Sequence, residues 1–136
     1  MTYLIMFYIR ILLVVIFQFI TWFAAAQSHG QRIMDCKTNI IGIWLSESDA
    51  DYKIEFTSDG YQKEYLNNVL QTEVALYFIQ KSCGLNQDNG FDIFLVRKLQ
   101  GQSLVCEVIN NLYIKNNQYI LTLTNDRGQL EKYIKQ

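Results

Sequence analysis

Tyr52-Lys53-Ile54-Glu55-Phe56-Thr57-Ser58-Asp59-Gly60-Tyr61-Gln62-Lys63-Glu64-Tyr65 is the stretch whose reading decides the fold. Tyr52, Ile54 and Phe56 alternate with Lys53 and Glu55, the period-two pattern of a half-buried strand. Ser58-Asp59-Gly60 supplies a turn, because Gly takes backbone angles other residues resist and Asp bonds its own main chain. Tyr61 to Tyr65 then returns with Tyr61, Lys63 and Tyr65 on one face, completing a β-hairpin.

The same pattern runs outward in both directions. Ile40 to Ser46 reads as the first strand. After Asn67-Asn68, Glu73 to Gln80 alternates Val74, Leu76 and Phe78 with Ala75, Tyr77 and Ile79, a strand expected to be covered on both faces. Phe91 to Lys98 and Ser103 to Ile109 follow, joined by Gln100-Gly101-Gln102. Asn110-Asn111 and Asn116-Asn117 flank a short strand, Leu112 to Lys115. Tyr119 to Thr124 and Gln129 to Lys135 close the set across the turn Asn125-Asp126-Arg127-Gly128. About eight strands with short turns predict an all-β, single antiparallel up-and-down barrel. No amphipathic helix of ten residues is expected, and the chain has no proline.

The N-terminus reads differently. Thr2 to Phe23 is apolar except for Arg10 and Gln18, and Ala24-Ala25-Ala26 precedes Gln27. One positive charge, an apolar run and a small-x-small triplet define a signal peptide over 1–26, with cleavage expected after Ala26. Residues 27–38 then form a flexible lead-in, and 39–136 the barrel domain. Tyr3 to Ala26 is also long enough to span a bilayer, so an uncleaved segment would tether the domain. The expected location is periplasmic, envelope-associated or extracellular. The remaining part has 11 basic and 13 acidic residues, a balance that argues against nucleic acid as a partner.

Export permits disulfides, and there are three cysteines, Cys36, Cys83 and Cys106. Cys83 at a loop edge and Cys106 in an apolar strand are the preferred pair, leaving Cys36 free or paired between chains. Three reduced thiols, with Cys106 as plain buried apolar filling, are the alternative.

Gly42-Ile43-Trp44 opens the first strand, followed by Ile54-Glu55-Phe56-Thr57-Ser58-Asp59-Gly60, Cys83, Leu104-Val105-Cys106-Glu107-Val108 and Arg127-Gly128. This order resembles the small lipocalin-like domains of exported bacterial proteins across essentially all of Ile40 to Lys135. The resemblance implies that Trp44 plugs the closed end of a barrel and that a cation from near the last strand covers it. Arg127 and Lys132 are the candidates for that cover.

Chemistry finds few tools. The single histidine, His29, lies in the lead-in, so the barrel has no imidazole for proton transfer or zinc. No base stands beside a cysteine, and the expectation is a protein that is not an enzyme and holds no cofactor. The acidic stretches Ser46 to Asp51 and Asn86 to Asp92 carry oxygen ligands suited to calcium, but solvated turn chemistry accounts for both, so no metal is expected. Trp44, Phe56, Phe78 and Phe94 are assigned to the core. Tyr61, Tyr65, Tyr77 and Tyr119 are the candidates for lining an open end that receives a small hydrophobic molecule. The alternative is a filled barrel whose surface contacts another exported protein.

Overall fold

The computed structural model describes residues 30–71, 74–85, 90–99 and 101–136. The expected signal segment 1–26 and the cleavage expected after Ala26 therefore lie outside the described residues. The folded body runs from Ile33 to Gln136.

Among the described residues, nine strands follow one helical stretch: β1 (Gly42–Ser46), β2 (Tyr52–Phe56), β3 (Tyr61–Leu66), β4 (Val69–Leu70), β5 (Ala75–Gln80), β6 (Phe94–Lys98), β7 (Leu104–Lys115), β8 (Gln118–Thr124) and β9 (Leu130–Lys135). Neighbours pair in the order β2-β1-β9-β8-β7-β6-β5-β3-β4, and β2 also pairs with β3. That last pairing closes the sheet. Eight antiparallel strands form a barrel, and β4 is a short flap folded back on β3. Closure leaves no long edge open to pair with another chain.

Inward positions of the lower and middle barrel are apolar. Trp44, Ile54, Phe56, Ile79, Leu95, Ile109, Leu121, Leu123 and Tyr133 form one buried cluster. The helical stretch, residues 30–39 (α1), adds Ile33 and Cys36 to it, and Ile40 in the turn that follows continues the same three-and-four spacing of one helix face. The lead-in expected to be flexible over 27–38 is thus helical from residue 30. Its apolar pattern is only three residues long, too short to stand out by period.

Two strand expectations also change. Ser103 to Ile109 and Leu112 to Lys115 are a single strand, β7, with a register shift between Ile109 and Asn111. Asn110-Asn111 is a β-bulge that bends the strand without ending it. β5 is not covered on both faces: Ala75 and Ile79 are buried, while Leu76 and Phe78 are 38% and 49% exposed on the outside. Phe78, assigned to the core, is therefore a surface residue.

Cys83 and Cys106 are joined in a disulfide, with Cα atoms 5.9 Å apart. With Phe94, Val96 and Val108 they form a small second cluster. The bridge stitches the segment after β5 to the outer face of β6–β7, closing a loop worth roughly 3 kcal/mol in the chain-entropy model. Cys36 is a buried thiol outside any disulfide.

Candidate functional site: the two ends of the barrel

The two ends of the interior have opposite chemistry. At one end Trp44 is fully buried, and its Nε1 donates to the Ile40 carbonyl at 2.6 Å. β1 and β9 place Lys135 directly opposite Trp44. The Lys135 ammonium lies 5.3 Å from the Trp44 ring and 5.1 Å from the Tyr119 ring, and donates to the Asn39 carbonyl at 2.8 Å. Burial holds its pKa below the ordinary lysine value. The cation over the indole is thus Lys135. Lys132 points outward to Glu47, and Arg127 sits in the exposed β8–β9 turn. Such a contact is worth about 1 kcal/mol. Helix α1, Trp44 and Lys135 together seal this end.

The other end holds a cavity of about 360 Å³, lined by residues that include Gln62, Glu64, Arg97, Glu107, Glu131 and Tyr133. Period-two alternation puts them there. In β3 the buried position is Gln62, whereas Tyr61 is 40% exposed. The polar face of this strand points inward, opposite to what its tyrosines suggest. Arg97 on β6 bridges two carboxylates, with Nη1 2.8 Å from Glu64 Oε1 and Nη2 2.9 Å from Glu107 Oε1. Glu107 is only 5% exposed. Burial pushes its pKa up, and Arg97 partly opposes that shift. Tyr133 donates to Glu131 Oε2 at 2.7 Å and Asn125 Nδ2 to Glu131 Oε1 at 3.0 Å. Tyr52 and Tyr133 are both held above the ordinary phenol pKa, first by burial and then by neighbouring glutamates. Both phenols therefore stay protonated and able to donate.

None of the four tyrosines expected to line an open end lies on this cavity. Tyr65 donates to Glu55 Oε2 at 2.7 Å on the outside of the barrel, with the Lys53 ammonium 5.2 Å from its ring. Tyr77 packs edge-on against Phe56 at 5.0 Å and donates to the Thr57 carbonyl. Tyr119 belongs to the sealed end, and Tyr61 to the surface. Of the candidate site residues named from the sequence, Arg127 alone lines the cavity. Gln62, Glu64, Arg97, Glu107 and Glu131 gave no signal as a set, because they come from four strands and converge only on closure.

The acidic stretch 46–51 is turn chemistry: Asp49 Oδ1 accepts from the Asp51 amide, and Ser46 Oγ from the Asp49 amide. Among the described residues no three His, Cys, Asp or Glu side chains converge as a metal site. No helix of the described residues is long and apolar enough to cross a membrane.

The fold and the site together define a closed eight-stranded antiparallel β-barrel with one sealed end and one polar cavity. No protein-family model, curated protein or solved structure matches the chain.

Proposed function

We propose that this protein is an exported, lipocalin-like binding module whose barrel takes a small polar molecule at the end opposite Trp44. The observation that carries the reading is the 360 Å³ cavity, whose volume falls within the range of small-molecule sites. Its lining argues against the small hydrophobic ligand expected from the tyrosines, since an apolar molecule there would strip water from Glu64, Glu107, Glu131 and Arg97 without returning any hydrogen bond. A cation over Trp44 is what the lipocalin-like comparison implies, although it is Lys135 and neither Arg127 nor Lys132. Export rests on the signal-like segment over 1–26, and the Cys83–Cys106 bridge is compatible with an oxidising compartment.

A second reading has one observation in its favour. Leu76 and Phe78 of β5 lie exposed on the outer face, and Leu76 pairs with the exposed Tyr61 of β3. Such a patch suits contact with another exported protein.

The test is a thermal-shift screen of polar small molecules on the folded protein. Binding to one cavity predicts compounds that raise the melting temperature saturably and displace one another one for one. A screen in which nothing stabilises the native state would remove the small-molecule reading and leave the surface one.

A further inference from the structure

The polar cavity is short of positive charge in a specific place. Arg97 is divided between Glu64 and Glu107, so both of its terminal nitrogens are engaged. Glu131 lines the same cavity and receives only neutral donors, one on each oxygen, from Asn125 and Tyr133. Three interior glutamates therefore share one guanidinium, while Asp126 and Arg127 at the rim offset each other. A partly buried carboxylate without a cation is costly, and a cation arriving from solvent relieves that cost.

A second observation points the same way. Gln62 lines the cavity and is 3% exposed; its Nε2 donates to Glu64 Oε1 at 3.2 Å, yet its buried Oε1 has no partner. A buried acceptor left without a partner is penalised, so this atom calls for an N–H or O–H donor. Arg97 Nε is the other buried side-chain N or O atom without a partner among the described residues, and a hydroxyl on the same ligand would accept from it.

We propose that the cavity binds a small organic cation, an amine or guanidinium compound, with Glu131 as its counter-ion and Gln62 Oε1 as a second acceptor. This rests on the reading of the cavity as a binding site. A metal ion is disfavoured by the lack of three converging ligands among the described residues. An anion is disfavoured because Arg97 Nη1 and Nη2 already hold carboxylates and three glutamates line the cavity.

Three probes of equal chain length isolate the charge: 4-amino-1-butanol, 1,4-butanediol and 4-hydroxybutyrate. Each is titrated into the full folded domain and followed by amide NMR shifts. The amine should bind at least about tenfold more tightly than the diol, the effect of one charge-assisted hydrogen bond. Glu131→Gln should remove most of that preference, and Gln62→Leu should weaken the amine several-fold. If Glu131→Gln does not fold, the preference in the unaltered protein and its loss with added salt still decide the matter. Equal binding of amine and diol, or a preference for the carboxylate, would overturn the cation and leave a polar binding site standing. Binding by none of the three would also overturn it, and the broader screen then decides whether the cavity binds anything.

Discussion

Gly42 shows how one residue serves the sealed end. Its φ is +133°, and a Cβ there would come within 2.7 Å of Lys135 Cε. That end of the lysine is fixed by the Asn39 carbonyl and by two aromatic rings, so it does not swing aside freely. Gly42→Ala should therefore destabilise the protein by about 1–3 kcal/mol, the cost of a strained backbone position, seen as a lower denaturant midpoint at unchanged slope. A midpoint within error of the parent would mean that Lys135 is loosely held and the sealed end less rigid than its geometry implies. Gly-x-Trp was legible in the sequence because both residues lie within one strand. The cation was not, because Trp44 meets Lys135 through the β1–β9 register, which no local pattern encodes.

At the scale of elements, three Asn-Asn pairs that look alike in sequence do two different jobs. Asn67-Asn68 and Asn116-Asn117 have positive φ at all four residues and make two-residue hairpins, joining Leu66 to Val69 and Lys115 to Gln118. Left-handed backbone at both central positions matches the twist of the flanking strands. Asn110-Asn111 is the bulge of β7, where Asn110 Nδ2 reaches Thr124 Oγ1 at 2.7 Å. Replacing Asn116 and Asn117 together by alanine should cost about 2–4 kcal/mol, one to two for each left-handed residue, measured by chemical denaturation. An unchanged stability would show that β7 and β8 hold their register without the turn. The strands themselves were readable from alternation, but turn and bulge were not separable, since Asn suits both. Helix α1 escaped notice because Ile33, Cys36 and Ile40 provide a single short stripe, and its stability comes from docking on the barrel.

For the whole molecule, the sequence made closure of the sheet a fair expectation and the location of the site an unfair one. Alternation says that two faces differ; it does not say which one turns inward. In β3 the tyrosines invite an inward reading, yet the closed barrel places Gln62 and Glu64 inside, where Arg97 and Glu107 of β6 and β7 meet them. Glu131 of β9 completes the polar end. A charged interior of this kind is expensive to build, and a ligand is the physical reason we offer for keeping it. The most direct measurement is a crystal structure of the protein with the tightest-binding polar compound from the screen. A ligand-binding interior predicts density for that compound inside the barrel, within hydrogen-bond distance of Glu131 and Gln62, with Trp44 and Lys135 undisturbed at the other end. Density on the outer face beside Leu76 and Phe78, with the interior unchanged, would contradict it.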